Sequence, residues 1–302
     1  MSRQVVSGEN SFTNANGKKI FTKYWKPSDE PRALVFICHG FGGHSSRYEA
    51  FGTALAEQGY LAFSHDHIGH GHSEGERVQV DDFSHYVRDV FKHIDEVAAD
   101  NTGIPIFMFG YSMGGTIAIL SVLKRPSFFT GAVFSAPAVQ PGPAKISSCL
   151  VFLGRIAAFV APSYQIKPPV DPSQLSRDPV QMKHNLQTDR VPYINIQVEK
   201  YANDPLVWHE GLKAKWTAKI LEAMNDIQRN VSKITLPYLL IHGDDDQVVL
   251  IDGSHFLQQH SSSTDKTFKV YEGGRHELLN EIQELSSKVL QDILDWIKQK
   301  LQ

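Results

Sequence analysis

The sequence predicts an α/β protein: a mostly parallel sheet with helices on both faces, interrupted by one inserted helical segment. Three observations predict it. Short continuous apolar runs recur at 33–39, 61–64, 104–109, 132–135 and 238–242, as in strands covered on both faces. Helical stretches separate several of these runs, so the strands join by crossovers and run parallel. Between residues 137 and 235 the strand signals stop, and prolines and short helix-like pieces take over.

Each element has its own signal. Residues 19–24 (KIFTKY) alternate polar and apolar, which suits a half-buried strand. The run 33–39 (ALVFICH) ends at Gly40, and a helix over 48–58 is stopped by Gly59. The strand 61–64 (LAFS) leads into a Gly/His loop over 65–75. The helix over 83–98 places Phe83, Tyr86, Val87, Val90, Ile94 and Val97 on one stripe, with Asp82 as N-cap. A strand over 104–109 (IPIFMF) precedes a helix over 113–123, and 132–135 (AVFS) is the next strand. The strand 238–242 (YLLIH) runs into Gly243 and three acidic residues. The strand 267–271 runs into Gly273-Gly274, and an amphipathic helix spans 281–301. This divides the chain into a core, 1–136 and 236–302, and a cap inserted as 137–235.

Composition narrows the function classes. With 302 residues, 41% hydrophobic and 21% charged, the chain can bury a large core. A net charge of −3 leaves no electrostatic footprint for nucleic acid. Two cysteines, Cys38 and Cys149, make neither a disulfide framework nor a metal knuckle, which predicts packing roles in a reducing, cytoplasmic compartment. Residues 1–10 are polar, so no signal segment is expected. The longest apolar stretch, 149–162 (CLVFLGRIAAFVAP), is broken by Arg155 and falls short of the ~20 residues of a spanning helix. Within the cap, it reads as a helix that admits acyl chains and leans on a lipid surface.

Gly110-Tyr111-Ser112-Met113-Gly114 lies between a buried strand and a helix. Such a turn strains the serine and lifts its hydroxyl clear of the sheet edge, while the flanking glycines let helix and strand approach. A serine needs an oriented base to become a nucleophile. On this architecture an acid and then a histidine should follow, each just after a later strand. Asp244, Asp245 and Asp246 offer the acid; the chemistry needs one carboxylate, and Asp246 is the candidate taken. His276 is the base, because His255 and His260 fall within a helix-like stretch. The oxyanion needs two N–H donors, expected from Met113 and from Phe41 in the loop His39-Gly40-Phe41-Gly42-Gly43. His65, His67, His70 and His72 cluster with Asp66, but a dinuclear H-x-H-x-D-H pattern would need Asp at Gly69. The loop therefore reads as a polar turn bracing the site, with neither metal nor cofactor expected.

The blocks HGFGGHSSRY (39–48), HDHIGHGHSEGER (65–77), GYSMGG (110–115), NDPL (203–206) and YEGGRHEL (271–278) resemble the monoglyceride lipases of the serine α/β-hydrolase superfamily. The likeness runs from about Asn14 to Trp296. It implies the α/β-hydrolase fold, Ser112, Asp246 and His276 as nucleophile, acid and base, and Phe41 and Met113 as oxyanion donors. It also implies a membrane-touching cap over an acyl tunnel, and cofactor-free hydrolysis of monoacylglycerol, a lipid ester, to glycerol and fatty acid. In that family a small polar pocket takes the glycerol head group; Tyr201 is retained there, and Tyr111 stands where the family usually has His. Gly43 replaces a usual Glu, and Leu279 a usual His, so head-group hydrogen bonds are expected to be lost. Extra residues are also expected in the cap over 180–198. With those losses, a carboxylesterase, lysophospholipase or acyltransferase of the same fold is the alternative activity.

Overall fold

The structure, a computed structural model, describes residues 4–141, 159–167, 171, 174–177 and 196–302. Among these, eight strands form one sheet in the order β1-β2-β4-β3-β5-β6-β9-β10. The inner strands are β3 (Ala33–Cys38), β4 (Tyr60–His65), β5 (Ile106–Tyr111), β6 (Gly131–Ser135) and β9 (Tyr238–Gly243). Together with β10 (Lys266–Tyr271) they pair in parallel. β2 (Lys19–Pro27) is antiparallel to both β4 and β1 (Val5–Thr13).

Side chains alternate across each strand, so the buried strands feed two cores. Leu34, Phe36 and Cys38 of β3 face one cluster; Ala33, Val35 and Ile37 face the other. The first cluster takes in α2 (Phe83–Ala99), α3 (Met113–Lys124) and α5 (Ala214–Asn230). The second takes in α1 (Glu49–Glu57) and α7 (Gln283–Lys300). α2 starts as its sequence requires: the Asp82 carboxylate accepts from the Ser84 N–H at 2.7 Å.

The edge strand β1 escapes the sequence pattern, as do two short strands within 137–235, where none was expected. β1 is an edge strand with no fully buried residue, so it carries no apolar alternation. The turn that joins it to β2 is held by Asn14, whose Oδ1 accepts from the N–H groups of Asn16 and Lys18, while its Nδ2 donates to Asp89 of α2.

The sequence between 137 and 235 contributes α4 (Ile196–Asn203), α5 and a small pairing of β7 (Gln165–Lys167) with β8 (Leu212–Lys213). Trp216, Ile220, Ala223, Met224 and Ile227 of α5 are buried in the same cluster as α2 and α3. The helix expected over 149–162 lies outside the described residues except for its last four. Cys149 and most of 180–198 also lie outside them.

Candidate active site

Ser112 sits between β5 and α3 with φ 55° and ψ −120°, a conformation that a side chain adopts only when its surroundings impose it. They do so here. The Ser112 N–H donates to Ser135 O at 3.0 Å, and the Ser112 carbonyl accepts from the N–H groups of Thr116 and Ala138, each at 3.2 Å. A Cβ on Gly110 would lie 2.5 Å from Gly114 O, and one on Gly114 only 2.1 Å from Cys38 O. No side chain fits at either place, which is why α3 can pack so close to β3 and β5.

The loops after β9 and β10 bring two further side chains to Ser112. His276 Nε2 lies 2.9 Å from Ser112 Oγ, and His276 Nδ1 lies 2.6 Å from Asp246 Oδ2. An ionised carboxylate only accepts, so Nδ1 carries the proton and Nε2 accepts from the serine hydroxyl. Asp246 is held from three sides. Its Oδ1 accepts from the N–H groups of Val248 (2.8 Å) and Val249 (2.9 Å). Its Oδ2 also lies 3.1 Å from His242 Nε2. Burial alone would raise its pKa, but the charge and hydrogen bonds of His276 and His242 outweigh that and hold it well below the ordinary carboxylate range. Asp244 and Asp245 point elsewhere: Asp244 accepts from the Gly273 N–H and Asp245 from Arg275 Nε. His255 and His260 lie on α6 (Asp252–His260), where His260 Nδ1 donates to Phe256 O.

His242 is a site residue that the sequence reading missed. It is fully buried. Its Nδ1 pairs with Ser254 Oγ at 2.8 Å, and its Nε2 lies 2.9 Å from Val249 O as well as 3.1 Å from Asp246. The carbonyl and the carboxylate are both acceptors, so Nε2 carries a proton shared between them. Its only sequence signal is its place four residues before Asp246.

Met113 opens α3, so its N–H has no intrahelical acceptor. Phe41 lies in the loop after β3, whose turn closes through Gly43 N–H to Gly40 O at 3.2 Å. The histidine-rich loop braces that turn. His39 donates from Nδ1 to Gly40 O (2.8 Å) and accepts at Nε2 from the His67 N–H (2.9 Å). Asp66 accepts from the N–H and Oγ of Ser45 and from the His72 N–H, which ties the loop to the turn before α1. His39, His65, His67 and His70 are buried, and burial lowers the pKa of each, to about 3 for His39 and His70. Among the described residues, no group of three or more His, Cys, Asp or Glu is arranged to hold a metal ion.

Ser112 opens onto a cavity of about 1190 Å³. Phe41, Trp216, Ile220, Met224 and Val249 give it an apolar wall, and Arg47, Tyr201, Glu277 and Asn280 a polar one. Arg47 Nη2 donates to both oxygens of Glu277 (3.0 and 2.8 Å), Asn280 Nδ2 donates to Glu277 Oε2 (3.0 Å), and the guanidinium lies over the Tyr201 ring. Tyr111 packs its ring 4.9 Å from that of His276. Burial, reinforced by the charge of Glu277, raises the hydroxyl pKa of Tyr111 and Tyr201, the latter to about 12.

Comparison with known proteins places this arrangement. The chain is 38% identical to the human monoglyceride lipase, covering 96% of this chain and 90% of the relative. The chain belongs to the monoglyceride lipase family. It is also 30% identical to a monoacylglycerol lipase from Mycolicibacterium smegmatis, over 96% of each chain. The family model described as serine aminopeptidase, S33, matches residues 29–283. A soluble variant of monoglyceride lipase from Saccharomyces cerevisiae, crystallised with a substrate analogue, shares the fold: TM-score 0.80, 21% identity, covering 99% of this chain and 97% of that one. The fold is thus the α/β-hydrolase fold that the elbow predicts. Against the monoglyceride lipase pattern, the expected loss of polar groups at Gly43 and Leu279 is only part of the story. The carboxylate facing Arg47 comes from Glu277, and Asn280 adds an amide. Arg47 and Glu277 lie 230 positions apart, so no local pattern announces the pair.

Proposed function

We propose that this protein is a serine ester hydrolase that cleaves monoacylglycerol to glycerol and a fatty acid, with Ser112, His276 and Asp246 as nucleophile, base and acid. The observation that carries this reading is the continuous hydrogen-bonded line from Asp246 through His276 to Ser112, opening on a cavity with one apolar and one polar wall. His276 Nε2 takes the Ser112 proton as Oγ attacks the ester carbonyl, and Asp246 stabilises the imidazolium. The N–H groups of Met113 and Phe41 stabilise the oxyanion. As the tetrahedral intermediate collapses, His276 returns the proton to the leaving alcohol oxygen. Water then attacks the acyl-enzyme by the same route, which releases the acid and restores Ser112.

The acyl chain takes the wall of Phe41, Trp216 and Ile220, and the alcohol takes the wall of Tyr111 and Tyr201. Residues 1–136 and 236–302 act as the core and 137–235 as a cap, with α5 as its floor against α3. Peripheral membrane contact through the cap is supported by Phe159 and Val160, at the end of the apolar stretch, which are 89% and 75% exposed. Among the described residues, no helix is long and apolar enough to cross a membrane. We assign a cytoplasmic location on the two-cysteine composition.

A panel of monoolein, oleoyl-lysophosphatidylcholine and p-nitrophenyl butyrate, run with wild type and Ser112→Ala, tests the reading. The highest kcat/KM should fall on monoolein, and Ser112→Ala should lose all three activities. Gly43 and Leu279 favour a second reading, a less selective carboxylesterase or lysophospholipase, for which the three esters would be cleaved with similar kcat/KM.

A further inference from the structure

We propose that Glu277 sets the charge preference of the alcohol-side pocket: paired with Arg47, it admits uncharged hydroxyl-bearing alcohols and excludes anionic ones. This rests on the ester-hydrolase reading above and names the residue that selects within it. Glu277 directly follows His276, whose Nε2 hands a proton to the leaving oxygen, and it lines the same cavity as Ser112 and His276.

Arg47 and Glu277 are 12% and 10% exposed, too dry for solvent to cancel the charge of either alone. Only Arg47 Nη2 is bonded to Glu277; among the described residues, the Nε and Nη1 donors have no partner. On Glu277, Oε2 accepts from Asn280, while among the described residues Oε1 accepts only from Arg47, which leaves it a lone pair to offer. The pair thus offers both donors and acceptors at zero net charge, which matches hydroxyl groups. A phosphate would meet the guanidinium and the carboxylate together, and the like-charge contact with Glu277 disfavours it. Three other ionisable side chains that line the cavity already have hydrogen-bond partners. His44 Nε2 is 2.8 Å from Asp204 Oδ2, Glu222 accepts from Lys219, and Glu210 accepts from Gln165.

Two substitutions should shift selectivity in opposite directions. kcat/KM is measured for monoolein, 1-oleoyl-lysophosphatidic acid and oleoylcholine in the same neutral detergent micelles, each normalised to p-nitrophenyl butyrate. Glu277→Gln should raise the lysophosphatidic acid to monoolein ratio by at least about tenfold. Arg47→Gln should instead raise the oleoylcholine to monoolein ratio, and Glu277→Asp should keep the wild-type order. Unchanged ratios in both Gln variants, or the same shift in both, would overturn the charge-selector role. If one of them fails to fold, the other carries the test alone. No turnover of any ester by wild type would overturn the ester-hydrolase reading itself, an outcome distinct from turnover with unmoved ratios.

Discussion

Asp246 suits the proposed role of acid because each of its oxygens is committed. Oδ1 is fixed by two backbone N–H groups, and Oδ2 is shared between His276 and His242. Asp246→Asn replaces the acceptor facing His276 Nδ1 with an amide that can favour the wrong tautomer, so kcat should fall by about 10⁴, as for a triad carboxylate elsewhere. Asp244→Asn and Asp245→Asn alter only the bridge between the two loops and should stay within a few-fold of wild type. Steady-state kinetics on monoolein separates the three. On the proposed mechanism, His242 is expected to act through Asp246 as a positioning residue. His242→Leu should lower kcat by roughly 10- to 100-fold, the scale for groups that orient a ligating or reacting side chain. KM should be unchanged, and His242→Gln, which keeps a donor, should recover part of the loss. A rise in KM with constant kcat would contradict that role.

At the scale of elements, the β5–Ser112–α3 elbow depends on contact distances that leave no room for a methyl group. Gly114→Ala would force a Cβ against the Cys38 and His39 carbonyls. It should cost about 1–3 kcal/mol or more from overpacking, read as a Tm drop of several degrees. It should also lower kcat, because α3 carries the Met113 N–H with it. Legibility in the sequence follows the same logic. β3, β4, β5, β6 and β9 are buried along their whole length except at Tyr111, so their apolar runs announce them. Ser112 and His276 are legible because each lies just past a strand end two residues from a glycine; that an acid follows Gly243 is legible too, but strand position does not separate Asp246 from Asp244 and Asp245. β1 is illegible because an edge strand with shallow burial needs no pattern. Arg47, His242 and Glu277 are illegible for another reason: their roles come from partners that only the folded chain brings near. α5 reads as part of the insertion, yet its stripe from Trp216 to Ile227 completes the main core.

At the scale of the whole molecule, the buried histidines make the fold acid-sensitive. Burial holds His39, His70 and His93 near a pKa of about 3, against 6.5 in the unfolded chain. Between those values the unfolded state binds more protons, so stability is complete above pH 6.5 and falls as the pH drops towards 3. Each such group forfeits about 2 kcal/mol by pH 5, a large share of the roughly 5–15 kcal/mol that holds a domain folded. The Tm should therefore fall steeply from pH 7 to pH 5, and His93→Phe, whose ring can join Phe12, Phe36 and Phe63, should flatten that slope. A Tm independent of pH over this range would contradict the burial argument. The most direct test of the account as a whole is covalent. Intact-mass spectrometry after reaction with a fluorophosphonate should show one adduct on the wild-type protein, mapped to Ser112, and none on Ser112→Ala. An adduct that persists on Ser112→Ala would contradict it.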